Sequence, residues 1–328
     1  MKEILEKFKE LYKGKDVVKR HCMLLLILLV PSILGSLRYL LDKDTPREIL
    51  LPSLCIFGVL LLLSILPFIT LSGFATDFYN RKIKNKLGLP NVNIDTFIKG
   101  LKILPLQIVW GIYGCVLFGV LFFVPLFYGI FGIFKNPHPE PLIVVGFVIG
   151  IIFLYLLTLL IFAIIAPFFG YAYFTFIEDF VYRTEYFYPF LFIKYMKMVF
   201  KDTMIVLLKY FVVSIIVSTV VSIISGIVGM FGGIFAISIG MIFSPSAENP
   251  MYTPTGIAII IPLATILTLL TAYSGTIVGF AAGSAYLDIY KREIRLPDPL
   301  ENTEEEQENK PKDEEQQESP KNDDGWVE

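Results

Sequence analysis

Asp, Glu, Lys and Arg are absent from the long apolar runs of this chain, and just after three of those runs one charged pattern recurs. An aspartate is followed four residues later by an arginine at Asp77 and Arg81, at Asp179 and Arg183, and at Asp288 and Arg292, with Glu178 beside the second pair. Carboxylates at a membrane face are the one place where a membrane enzyme built on this chain would find its acid and base. An aspartate and an arginine at that spacing share one helix face, and the pair stabilises a helix by only about 0.2 to 0.5 kcal/mol. The three pairs therefore read as a repeated structural motif, and no catalytic residue is assigned. His138 and Glu140, inside Asn136-Pro137-His138-Pro139-Glu140-Pro141, are too few to hold a cation and fit a stiff proline-rich loop. Cys22, Cys55 and Cys115 lie far apart in or beside apolar runs, without Cys-x-x-Cys spacing or clustered histidines. They read as small hydrophobes, and no metal, cofactor or disulfide framework is expected.

The elements that place these residues are apolar runs. Asp, Glu, Lys and Arg are absent from His21 to Leu37, Ile49 to Thr76, Ile103 to Phe134, Pro141 to Ile177, Tyr210 to Ala247 and Asn249 to Leu287. A helix needs roughly 20 apolar residues to cross about 30 Å of hydrocarbon, and each run is near or above that length. Hydrophobic residues make up 55% of the chain and charged ones 18%, against about 25% charged in soluble domains; the mean hydropathy is +0.67. The fold class is thus an all-α polytopic membrane protein with about six transmembrane helices. A cleavable signal is excluded for the first run, because the leading segment is long, contains Glu3, Glu6, Glu10 and Asp16, and has no Ala-x-Ala site after it. A re-entrant segment around Gly226, Gly229, Gly232 and Gly233 is the open point in the long fifth run.

Lysine and arginine stay on the cytoplasmic side of short loops. With six spans, 24 of them fall in the N-terminal arm, the 77–102 loop, the 178–209 loop and the C-terminal region, and 4 fall in the other loops. Both termini are expected in the cytoplasm of a multi-pass cell-membrane protein. Basic amphipathic stretches precede the odd-numbered spans, at residues 1–20 with Ile4, Leu5, Phe8, Leu11 and Tyr12 at helical spacing, from Ile94 to Lys102, and from Tyr186 to Lys201. Each is expected to lie along the interface with its lysines near anionic headgroups. Together with the Asp-x-x-x-Arg motif they outline three units near 1–92, 93–184 and 185–295, each an interfacial helix, an outward span and a return span. The division is then an interfacial helix at 1–20, a transmembrane domain at 21–295 and a tail at 296–328. Residues 301–328 hold twelve acids against three lysines, a composition that stays disordered in the cytoplasm.

The fifth and sixth spans present small residues three or four apart. Ser214, Ser218, Ser222, Ser225, Gly229, Gly232 and Ala236 form one series, and Thr268, Ala272, Gly275, Gly279 and Ala282 the other. Such faces permit close helix packing or line a polar path; both readings stay open. Pro67, Pro105, Pro125, Pro167 and Pro262 are tolerated in membrane helices and can kink them.

Gly73 to Arg81, then Gly88-Leu89-Pro90, then Asp95-Thr96-Phe97-Ile98-Lys99-Gly100-Leu101-Lys102 resemble the motif region of the domain-of-unknown-function 4013 family of archaeal and bacterial membrane proteins. Gly279 to Tyr286 resembles its closing helix. The resemblance implies a polytopic membrane protein over residues 20–290 and carries over no catalytic residue. With essentially no ionisable group inside the spans, coupled transport and intramembrane hydrolysis lose their usual means. The expected function is a non-enzymatic membrane component acting through helix packing, lipid or partner binding. The alternative is a passive transporter or channel for a small neutral or amphipathic solute, and third a membrane enzyme with a cytoplasmic-face site. Membrane lipids, a second copy or a membrane protein are the expected partners, and nucleic acid is not.

Overall fold

The computed structural model describes residues 2–14, 16–37, 47–134, 141–243 and 253–295, without the side chains of 47, 48, 132–134 and 142–144. The acidic tail, His138 and Glu140 lie outside them. Among the described residues 91% are helical and none is in a strand. Six stretches are long and apolar enough to cross a bilayer: Val17–Leu37, Ile49–Ile83, Ile94–Phe131, Val145–Asp179, Leu191–Phe243 and Pro254–Ile294. The protein is an all-α, multi-pass integral membrane protein.

Breaks in the helices follow local chemistry. The first span is α2 (Val17–Leu37), preceded by α1 (Lys2–Leu11). The second is divided at Ser64 into α3 (Arg47–Leu63) and α4 (Ile65–Ile83). Pro67 has no N–H to offer the Leu63 carbonyl and its ring crowds that oxygen, so the helix yields there. The third span is α5 (Ile94–Phe118), a π turn at Gly119–Phe123 and α6 (Val124–Phe134). Pro125 likewise leaves the Leu121 carbonyl without its usual donor, and the wider π turn sits at that point. After α7 (Pro141–Asp179), α8 (Leu191–Phe243) bends at Val199, where φ is −130° and ψ 16°. Beyond the bend α8 is one helix through Gly226, Gly229, Gly232 and Gly233, with no re-entrant turn up to Phe243. The last span is α9 (Pro254–Ile289), capped by the Thr253 hydroxyl and followed by a π turn at Tyr290–Ile294.

Packing has an approximate threefold order. The return spans α4, α7 and α9 all touch one another at the centre, and α2, α5 and α8 lie outside them. Each return span also packs on the outward span of the next unit, α4 on α5, α7 on α8, and α9 back on α2, which closes the ring. The order is not strict: α8 and α9 share the largest interface of all, whereas α5 and α7 meet little. Aromatic rings fill the centre. Tyr79 of α4 packs edge-on against Tyr173 and Phe174 of α7 and against Phe280 of α9, with centroids 6.0, 5.1 and 6.3 Å apart. Apolar side chains such as Leu208, Phe231 and Phe153 face outward and are exposed, as lipid-facing positions require.

The amphipathic segments behave differently from one another. α1 turns its apolar face onto the protein, where Leu11 is buried and Ile4 and Phe8 pack with Phe74, Phe78 and Phe280. The ends of α2, α4 and α9 leave an apolar surface there, which Ile4, Phe8 and Leu11 of α1 cover, while Leu5 and Tyr12 stay exposed. Lys7 pairs with Asp288, Glu10 with Lys82, and Lys209 with Glu3 at 3.0 Å. Tyr12 stacks on His21 at 4.5 Å, and the Tyr273 hydroxyl bonds His21 Nδ1 at 2.7 Å. The second segment continues without interruption into α5, and the third is set off by the bend at Val199.

Candidate functional site

All three Asp-x-x-x-Arg motifs stand at the end of the bundle where α1 sits, hereafter the charged end, yet one alone closes on itself. Asp77 accepts from the Thr96 hydroxyl at 3.0 Å and pairs with Lys99, both on α5. Arg81 instead donates to the Leu87 carbonyl at 3.3 Å, and its Nε is sealed without an acceptor. Asp179 ends α7; Phe180 follows at φ +53° and the backbone of Arg183 is extended. The pair therefore meets across a turn, at 2.9 Å, and not along a helix face. Asp179 also accepts from the Val181 N–H at 3.1 Å and from the Tyr186 hydroxyl at 3.4 Å. Burial, helped by the nearby Asp179 charge, pushes the Tyr186 hydroxyl up to about 12, so it stays a neutral donor at physiological pH. Asp288 is taken by Lys7 of α1, and Arg292, in the π turn, by Glu293 at 2.7 Å and Asp202 at 2.8 Å. In each unit the aspartate reaches the amphipathic segment that follows it around the ring: Lys99 for Asp77, Tyr186 for Asp179, Lys7 for Asp288. The repeated motif ties neighbouring units together.

The first of these links is a close helix crossing. Asn93 caps α5 by accepting from the Thr96 N–H at 2.9 Å, while Thr96 returns a hydroxyl contact to the Asn93 N–H. A Cβ added to Gly73 of α4 would stand 1.7 Å from the Thr96 carbonyl oxygen, and one on Gly100 would stand 2.0 Å from that of Ile69. The two glycines let the backbones of α4 and α5 touch. Gly88, at φ +79° in the loop between them, lies against the Lys13 carbonyl, where a Cβ would come within 2.2 Å.

Two cavities lie along the inner helices. At the charged end a cavity of about 850 Å³ is lined from α4, α7, α8 and the π turn after α9, with Lys84, Glu178, Glu185, Lys194, Tyr195 and Arg295 among its walls. Next to it, inside the spans, an apolar cavity of about 430 Å³ lies between Tyr79, Gly170, Tyr173, Leu207, Gly279 and Tyr286. Both volumes fall in the roughly 300 to 1,000 Å³ range of ligand sites. Along α7 the lining passes from Phe174 in the apolar cavity to Thr175 in the charged one; along α4 it passes from Tyr79 to Asn80.

Small-residue series divide between packing and open space. Gly229, Gly232 and Ala236 meet α9: a Cβ on Gly232 would stand 1.9 Å from Leu263, and Ala236 is fully buried. Ser218, Ser222, Gly275 and Gly279 are exposed, and a Cβ on Gly275 or Gly279 would meet nothing within 4 Å. Gly279 thus borders the apolar cavity instead of a neighbouring helix. Hydroxyls on α9 turn back to their own helix, Thr268 to the Ala264 carbonyl at 2.7 Å and Thr276 to that of Ala272 at 2.8 Å.

Sequence reasoning did not single out Tyr79, Gly170, Tyr173, Lys84 or Lys194. The dense aromatic run Phe168-Phe169-Gly170-Tyr171-Ala172-Tyr173-Phe174 was the available signal, since a glycine among large rings marks a gap that some other group fills. Among the described residues no three His, Cys, Asp or Glu side chains gather as metal ligands would. Comparison with protein-family models, curated proteins and solved structures finds no match to the chain.

Proposed function

We propose that this integral membrane protein is a non-enzymatic component that holds a membrane lipid between its three inner helices, with the charged end and both termini in the cytoplasm. The observation that carries the reading is the apolar hollow of about 430 Å³ that lies among the spans, open on the side of Gly279, and adjoins the charged one. An open apolar hollow among membrane spans is filled by lipid or a lipid-like solute, and left unfilled it forfeits the dispersion contacts of its walls. Substituting Gly170 or Gly279 by leucine should project an apolar side chain into the hollow, because a Cβ at either position meets open space. Lipid retained by the purified protein, measured by native mass spectrometry, is expected to fall several-fold in both variants. Unchanged retention would refute the reading.

The two adjoining cavities along one axis also favour passive passage of a neutral amphipathic solute. Flux of such a solute into proteoliposomes, blocked by Gly279→Leu, would select that reading over simple retention.

Orientation rests on the division of lysine and arginine, 24 against 4. In a background lacking Cys22, Cys55 and Cys115, an impermeant thiol reagent on intact cells should label Asn136→Cys and Glu248→Cys but not Glu318→Cys. Labelling of the last would reverse the assignment.

A further inference from the structure

The charged cavity holds more ionisable groups than its own pairs occupy. Arg295 is bonded to Glu178 at 2.7 Å and Arg183 to Asp179 at 2.9 Å, so these four are matched within the wall. Lys84, Lys194 and Glu185 stand exposed at the rim of the same cavity, and among the described residues their side chains make no ion pair or hydrogen bond. Two unmatched ammonium groups against one carboxylate leave one surplus positive charge. Lys84 follows the end of α4 and Lys194 stands before the bend of α8, so the two reach the cavity from different elements. The apolar cavity begins one residue further along α4 and α7. A molecule spanning both must be anionic at one end and apolar at the other.

We propose that the two cavities form one site for an amphiphile with a singly charged phosphate diester, its phosphate on Lys84 and Lys194 and an acyl chain in the apolar cavity between Gly170 and Gly279. The proposal rests on the lipid-holding reading above. A phosphate diester cancels the surplus charge and offers oxygens to two compact ammonium donors, and lysine binds phosphate as a point charge. Glu185 can accept hydroxyl groups of the same headgroup, and it disfavours a doubly charged one.

The test uses the full chain purified in neutral detergent, with binding of short-chain phosphatidylglycerol measured beside two fragments of it. Diacylglycerol keeps the chains and lacks the phosphate; glycerol 3-phosphate keeps the phosphate and lacks the chains. Phosphatidylglycerol should bind most tightly, and Lys84→Ala or Lys194→Ala should each weaken it about fivefold, leaving diacylglycerol unaffected. Lys194→Arg should retain most of the affinity, and Gly279→Leu should weaken both lipids. Glycerol 3-phosphate binding as tightly as the lipid would mean a free-phosphate site and overturn the proposal. Equal binding of the two lipids, insensitive to both lysines but lost in Gly279→Leu, would reject the phosphate and keep the lipid-holding reading. Binding of neither lipid would reject both.

Discussion

Gly73→Ala will separate α4 from α5 and lower the stability of the whole domain by about 3 kcal/mol. The added carbon would stand 1.7 Å from a backbone oxygen, that of Thr96, and backbone has no rotamer with which to give way. The helices must part by more than an ångström, which also stretches the Thr96 and Lys99 contacts to Asp77. Thermal unfolding in detergent should show a midpoint lower by roughly 6 to 12 °C. Gly226→Ala supplies the control: nothing lies within 4 Å of its Cβ, and alanine is worth up to about 1 kcal/mol more than glycine in a helix. A neutral Gly73→Ala would show that the two helices do not touch there.

Alanine at the three motif aspartates should produce unequal losses, although the sequence presents them alike. Asp77 is 13% exposed in its side chain and supports both Thr96 and Lys99. Its removal leaves a partly buried ammonium without a partner, a loss of about 2 to 3 kcal/mol once solvent access to Lys99 is allowed for. Asp288 is 55% exposed where it meets Lys7, so Asp288→Ala should cost under about 1 kcal/mol. Asp179 should fall between, since it holds the Val181 N–H as well as Arg183. Denaturation midpoints of the three variants give the ranking. Equal losses would mean that the motif acts through a shared local property, such as its helix-end charge, and not through its links to neighbouring units.

Membrane insertion was legible residue by residue. Whether a segment spans a bilayer depends on its own length and polarity, because backbone groups in hydrocarbon must be satisfied within the segment. The six charge-free runs therefore matched the six spanning helices, and the prolines at 67 and 125 fell beside the breaks in the second and third spans. The repeat of Asp77, Asp179 and Asp288 was legible as spacing, which is also local.

Partners were not legible, because periodicity identifies the face a residue occupies and leaves open what comes to meet that face. The i,i+4 spacing put three Asp–Arg pairs on helix faces, but only Asp179 meets Arg183, and it does so across a turn after α7 ends with Phe180 at positive φ; Asp77 on α4 is taken by Thr96 and Lys99, and Arg292, in a π turn, by Asp202 and Glu293. The apolar stripe of α1 was equally compatible with a headgroup layer and with the protein surface it in fact covers, since both take apolar side chains out of water. Ser218, Ser222, Gly275 and Gly279 carried the same signature as Gly229 and Gly232, yet only the latter two lie against α9. Small size permits contact without attracting it. The cavities between α4, α7 and α9 arise where large rings and glycines from three separate spans meet, a coincidence of volumes that only the assembled bundle fixes.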